Sequence, residues 1–195
     1  MGADKQIKTD QKGHAMTEDI KKDLIIRQAQ HSELEEIIDF YYDIIDHQGE
    51  REFGPKWTKD VYPTRGDLAV DVESGAMHIG RINGRIACAA VITGNDEIYD
   101  DVDWPTKVAP EEVGVIHLLV VHSDFTGRGF AKKLVSYCAD VCRAKGRKVI
   151  RLDVLKGNLP AEQLYPRCGF KLVAEQQIFY EDTGLADFLL YEMVL

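Results

Sequence analysis

The 195-residue sequence predicts a mixed α/β fold organised as one domain. Three observations predict it. Strand-like and helix-like segments follow one another in the order βααβββαβαββ, with no repeat, low-complexity run or linker between them. The pair Asn83-Gly84 separates two apolar runs, the pattern of a tight antiparallel hairpin. Val113 to Val121 is a nearly continuous apolar run with β-branched residues, the pattern of a buried central strand, and it leads into two glycines and a helix.

The elements follow in order. Residues 1–22 are polar and lack an apolar period, so they are expected to form a flexible N-terminal arm ahead of a domain over 23–195. Leu24 to Ile26 read as a short first strand. Ser32 and Glu35 have the spacing of a capping box, and Leu34, Ile37, Ile38, Tyr41, Ile44 and Ile45 recur at helical spacing, up to an end near Gly49. Residues 53–57 read as a loop rich in aromatics, and 65–74 as a second helix. The hairpin strands are 77–82 and 85–93. Residues 94–112 form an acidic loop carrying Asp100, Asp101, Asp103 and Trp104. The central strand, 113–121, precedes a helix that Gly146 closes after about Lys145. A strand over 149–154, a helix over 158–167 and a strand pair over 170–180 and 185–194 complete the chain.

Composition narrows the function. The net charge of −9 argues against a nucleic-acid partner, which would favour a basic surface, and is compatible with an amine-bearing substrate. No run is long and apolar enough to span a membrane, and the polar N-terminus has no signal-like core. The four cysteines lack the close pairing of a zinc site; Cys138 and Cys142 read as small apolar residues on a buried helix face. Reduced thiols fit a cytoplasmic protein, and no metal is expected.

The segment Val120 to Leu134, VVHSDFTGRGFAKKL, carries the first chemical signal. A helix start presents unpaired amides and partial positive charge. Gly127 and Gly129 leave the main chain accessible, and Arg128, Lys132 and Lys133 add charge, so the turn suits a diphosphate. It is not a P-loop, since no Gly-Lys-Ser/Thr run follows. Nor is it a dinucleotide fingerprint, since Lys132 stands where the third glycine belongs. On this segment alone, two glycines that merely shape a turn remain an alternative.

Here the chain resembles the GCN5-related N-acetyltransferase (GNAT) superfamily. The family's Arg/Gln-x-x-Gly-x-Gly/Ala signature maps onto Thr126 to Ala131, with Gly129 and Ala131 matching, and Thr126 and Ser123 departing from the usual Arg or Gln and Pro. A second family motif matches at Asn158, Ala161, Leu164, Tyr165, Gly169 and Phe170. The resemblance implies a central, mostly antiparallel sheet that splays between two parallel strands, 113–121 and 148–154. It implies acetyl-CoA as donor and a primary amine as acceptor. The diphosphate would lie on the amides around Thr126, Gly127, Arg128, Gly129, Phe130, Ala131 and Lys132. The pantetheine arm would run along Leu119, Val120 and Val121, near Asn158 and Ala161.

Acetyl transfer needs a base, an oxyanion donor and a proton donor for the departing thiolate. The resemblance assigns the last to Tyr165; the alternative is a tyrosine packed under the sheet. The amide of Val121 or Leu119 is the candidate oxyanion donor. His117 shares strand parity with Leu119 and Val121 and is a candidate base, against a purely structural histidine. The resemblance implies a glutamate near the start of this strand as the other candidate base, here Glu112 or Glu111. His122 has the opposite parity and reads as structural. Phe53, Trp57, Trp104 and Tyr180 are candidate walls of the acceptor pocket, while the acidic run Asp100 to Asp103 reads first as a solvated loop. Three functions remain open: an N-acetyltransferase acting on a small amine, a protein or peptide N-acetyltransferase, and a non-catalytic acyl-CoA sensor. Exposed C-terminal edge strands would permit a homodimer.

Overall fold

The computed structural model describes residues 23–50 and 53–195. The N-terminal arm expected over 1–22 lies outside the described residues. Among them, seven strands form one sheet: β1 (Ile25–Gln28), β2 (Met77–Ile82), β3 (Arg85–Thr93), β4 (Val113–Val121), β5 (Val149–Leu155), β6 (Lys171–Tyr180) and β7 (Gly184–Val194). Their order across the sheet is β1-β2-β3-β4-β5-β7-β6. All neighbours are antiparallel except β4 and β5. Four α-helices flank the sheet among the described residues: α1 (Leu34–Asp46), α2 (Arg65–Glu73), α3 (Phe130–Ala144) and α4 (Leu159–Arg167). None is long and apolar enough to cross a membrane.

Strand alternation sends side chains to two cores. On one face, Leu134, Cys138 and Cys142 of α3 and Tyr165 of α4 pack on Ile116, Ile150 and Leu152. Gly114 permits this close approach, because a Cβ there would lie 2.7 Å from the Cys142 sulfur. On the other face, Ile37 and Tyr41 of α1 and Leu68 of α2 cover Met77, Ile79 and Val91. The loop over 94–112 covers the rest of that face, with Tyr99 and Trp104 against Val115 and Leu190. All four cysteines are free, and Cys88, Cys138 and Cys142 are buried.

The start of α1 departs from the sequence expectation. A 3-10 turn, His31–Glu33, precedes the helix, and the Glu33 carboxylate accepts the Gln30 amide at 2.9 Å. Glu33 is drawn back because Arg27 on β1 donates to both its oxygens at 2.7 Å. Arg81 on β2 adds a bond at 3.1 Å. These bonds, that from Arg27 foremost, hold the Glu33 carboxyl down at about 2 and clamp α1 to the sheet.

Two features shape the centre of the sheet. The first is the brevity of the β4–β5 pairing, which covers only Val113, Gly114 and Val115 against Val149, Ile150 and Arg151. The second is a bulge in β4. Val91 pairs with His117 and Ala89 with Val120, so one residue of β3 opposes two of β4. Leu118 takes the left-handed conformation there, φ 51°, at a cost of roughly 1–2 kcal/mol for a residue with a Cβ. The buried Tyr41 hydroxyl compensates by donating to the Leu118 carbonyl at 2.9 Å.

The loop over 94–112 is tied down by a buried ion pair. Arg151 Nε donates to Glu192 at 3.1 Å, and their side chains are 8% and 3% exposed. Glu192 also accepts the Thr106 amide at 3.2 Å, Arg151 donates to the Thr106 carbonyl at 3.2 Å, and the guanidinium lies 4.4 Å over the Trp104 ring.

Two stability outcomes follow. Glu192→Ala leaves the Arg151 charge buried and unpaired, and should lower unfolding free energy by about 3 kcal/mol in chemical denaturation. Tyr41→Phe leaves the Leu118 carbonyl without its donor, and should cost about 1–2 kcal/mol in the same assay with the fold retained by circular dichroism.

Candidate active site

Beyond Val115 and Arg151 the parallel strands diverge, and a cavity of about 180 Å³ opens between them. It is lined from both faces of the sheet. Ile116, Leu119, Tyr165, Asn158 and Ala161 come from the α3–α4 side. His117, Asp153, Tyr180, Trp57 and Tyr62 come from the opposite side. A ligand entering from one side can therefore meet one entering from the other.

The turn after β4 fits an anion. Gly127 and Gly129 have φ of 74° and 75°, a region open to glycine at little cost, with nothing within 4 Å of where a Cβ would stand. Gly129 is the N-cap of α3. Among the described residues, the amides of 127–132 donate to no backbone acceptor. Thr126, where the resemblance leads one to expect Arg or Gln, braces the turn through its hydroxyl, which donates to the Ser123 carbonyl at 2.9 Å. Arg128 is exposed and stacks over Phe125 at 5.5 Å. The side chains of Phe130 and Val120 are buried in core clusters, so only their main chains face outward chemistry. Lys132 lies on the rim of a separate groove between α3 and α4.

Tyr165 is buried against Phe170 and Tyr191, and its hydroxyl bonds to no other described residue. Burial pushes the phenol above its ordinary range, so it keeps its proton at neutral pH. Asn158 and Ala161 line the cavity beside it.

His117 also lines the cavity, with its ring 23% exposed and Nε2 3.6 Å from Asp96. Burial lowers its pKa from the ordinary 6.5, against the opposing pull of Asp153 and Asp96. Its expected parity with Leu119 and Val121 does not hold. The bulge at Leu118 breaks the alternation, so His117 shares the face of Val91, while Leu119 and Val121 pack toward α3. This places His117 on the opposite side of the gap from Tyr165. His122 is tied to α1 through Asp43 at 2.6 Å.

Three expected residues stand elsewhere. Glu112 lies at the closed end of the β4–β5 pair, where its carboxylate takes bonds from Lys148 at 2.5 Å and the Ala109 amide at 3.0 Å. Six residues of strand, 113–118, separate it from Leu119, roughly 20 Å at the usual rise. Those bonds, Lys148 first, hold it below the ordinary carboxylate range, which makes it a poor base. Trp104 is a core residue, 4% exposed, with its indole N–H donating to the Tyr99 carbonyl at 3.0 Å. Phe53 is half-buried and does not line the cavity. Trp57 and Tyr180 do. Asp100, Asp101 and Asp103 are exposed and outside the lining.

One residue of the cavity, Asp153, escaped the sequence reading. Asp153 stands opposite His117: Val115 pairs with Arg151, and the next same-face rung would join His117 to Asp153. Its Oδ2 accepts from Tyr180 at 2.6 Å and Tyr99 at 2.9 Å. Burial raises its pKa in spite of these bonds. The available signal was the alternation Val-Ile-Arg-Leu-Asp-Val over 149–154, which puts two charges on one face of an apolar strand. Among the described residues, no group of three or more His, Cys, Asp or Glu is placed to hold a metal ion.

Comparison with known proteins gives this geometry a family. The profile described as the acetyltransferase (GNAT) family matches residues 35–170. An uncharacterized N-acetyltransferase of Methanocaldococcus jannaschii is 32% identical over 71 residues, a match spanning 36% of this chain and 31% of that protein. An acetyltransferase-type structure from Staphylococcus aureus Mu50 is similar at TM-score 0.63 and 26% identity, covering 87% of this chain and 98% of that one. The yncA protein of Salmonella typhimurium, solved with its cofactor acetyl-CoA, has TM-score 0.66 at 18% identity, covering 89% and 94%. A ribosomal-protein-alanine N-acetyltransferase from Brucella melitensis has TM-score 0.67 at 16% identity, covering 88% and 100%. The matched profile includes the glycine turn, the bulged strand, the splay and Tyr165, and the chain belongs to the acetyltransferase (GNAT) family.

Proposed function

We propose that the protein is an acetyl-CoA-dependent N-acetyltransferase acting on a small primary amine. The observation that carries this reading is a single cavity at the β4–β5 splay, open to a proton-bearing Tyr165 on one face and to His117 on the other. Acetyl-CoA would lay its diphosphate on the free amides after β4, with Arg128 and Lys132 at the rim. Its pantetheine arm would run as an added strand along the β5-facing edge of β4, which has no strand partner beyond Val115. Asn158 and Ala161 would flank the thioester. A cavity of about 180 Å³ suits a compact acceptor better than a peptide, which needs a long groove.

The chemistry then divides between the two faces. The amine must be neutral to attack, and His117 takes its proton. The amine nitrogen forms a bond to the thioester carbon, and an amide N–H of the bulged strand, at Leu119 or Val121, receives the developing oxyanion. The C–S bond breaks with its electron pair on sulfur. The Tyr165 hydroxyl donates its proton to that thiolate, and the second proton, shed by the nitrogen as the amide forms, restores the phenol. One ammonium and one thioester give one amide, one thiol and one proton. Free, buried thiols agree with a reducing compartment such as the cytoplasm.

A free-thiol release assay across a panel of amines and peptides tests the reading; coenzyme binding without turnover of any acceptor would favour a sensor. Tyr165→Phe should lower kcat by about 100-fold while leaving coenzyme affinity nearly unchanged, and a variant with full kcat would remove Tyr165 from the mechanism. His117 acts as a base only when neutral, and burial lowers its pKa. The acid limb of kcat/KM should therefore have its midpoint below the ordinary 6.5, and His117→Ala should abolish that limb.

A further inference from the structure

We infer that Asp153 is the docking anion of the acceptor site, and that the site selects compact cationic amines lacking a neighbouring carboxylate. The inference rests on the acetyl-transfer reading above and adds the acceptor's chemical class.

Asp153 is placed as a receptor. It faces the gap at the rung where the strands have just parted, on the same side as His117. Both tyrosine hydroxyls converge on Oδ2, leaving Oδ1 without a bond to any described residue. Tyr99 is itself immobilised by Trp104, with ring centroids 5.7 Å apart, so the carboxylate is held in one orientation. Among the described residues, no Lys or Arg forms an ion pair with it. A half-buried carboxylate without an ion-pair partner is costly unless it takes a proton or a cation.

The surrounding wall favours the cation. Asp182 also lines the cavity, and Asp96 stands beside His117. Against these acids, Lys56 is the one fixed cation lining the cavity among the described residues, and it is exposed. Trp57, Tyr62, Tyr180 and Phe188 supply aromatic surface, which attracts an ammonium through its ring faces. An amine entering as R–NH3⁺ meets Asp153 and these rings, and His117 is adjacent to receive its proton. An acceptor with a carboxylate beside the amine would bring a like charge toward Asp153 and Asp182. Acetylation converts the ammonium into a neutral amide, which removes the attraction and favours product release.

The test pairs amines with their carboxylated counterparts: phenethylamine with phenylalanine, and 1,4-diaminobutane with ornithine, all at saturating acetyl-CoA. At least one amine should exceed its counterpart by about 100-fold in kcat/KM. Equal or better turnover of the carboxylated members would overturn the inference. Asp153→Asn retains an acceptor for the tyrosines and removes the charge. It should raise KM for the preferred amine by about 10-fold or more while leaving coenzyme A binding unchanged. The neutral isostere 2-phenylethanol, used as a competitive inhibitor, should inhibit wild type and variant equally. An equal loss of affinity for amine and alcohol would assign Asp153 a structural role only. If wild type turns over none of these amines, titration calorimetry of phenethylamine and 1,4-diaminobutane into the coenzyme-loaded protein separates the two ideas. Binding lost in Asp153→Asn supports the docking anion although acetyl transfer has failed, and no binding of either amine overturns both.

Discussion

The structure depends on where the β4–β5 ladder stops. Two parallel strands at the middle of a sheet would ordinarily stay paired along their length, each amide and carbonyl satisfied by the neighbour. Here pairing ends after Val115 and Arg151, and the remainder of each strand faces a gap. The bulge at Leu118 belongs to the same device. It adds twist to β4, redirects His117 relative to Leu119, and is held by the Tyr41 hydroxyl from the other side of the core. The cavity made this way lies inside the sheet, where β4, β5, α4, residues 55–62 and the β6–β7 hairpin meet.

That location determines the electrostatics. The turn at the end of β4 presents free amides, whereas the cavity wall opposite α3 and α4 presents carboxylates and aromatic rings. In the proposed reading the turn receives the anionic donor and the acidic, aromatic wall of the cavity receives the cationic acceptor. Burial acts on the groups between them: Tyr165 holds its proton more firmly and His117 more weakly than either would in water. In the proposed mechanism the proton donor, Tyr165, and the proton acceptor, His117, stand on opposite faces of the sheet, with the splay between them.

Much of the fold was legible because its signals are local. Asn83-Gly84 places the β2–β3 turn, Gly127 and Gly129 place the start of α3, and the central strand is bounded as its apolar run suggests. The features that sequence reading misplaced are set by contacts distant in the chain. Nothing in Ile-His-Leu-Leu-Val announces a bulge, since it arises from the pairing of β4 with β3 and from Tyr41 on α1. Trp104, an aromatic in an acidic loop, reads as a pocket wall until Arg151 and Glu192 draw that loop onto the sheet. Glu112 reads as a base from its position before the strand, yet the length of β4 keeps it at the paired end with Lys148. Asp153 was visible as a charge in an apolar strand; its significance appears only when Tyr99 and Tyr180 converge on it.

The most direct measurement is a crystal structure of the protein with bound coenzyme A. The account predicts diphosphate oxygens at about 3 Å from the amides of residues 127–131, and the sulfur in the gap between β4 and β5 beside the Tyr165 hydroxyl. A coenzyme bound elsewhere, with that turn and gap vacant, would contradict it.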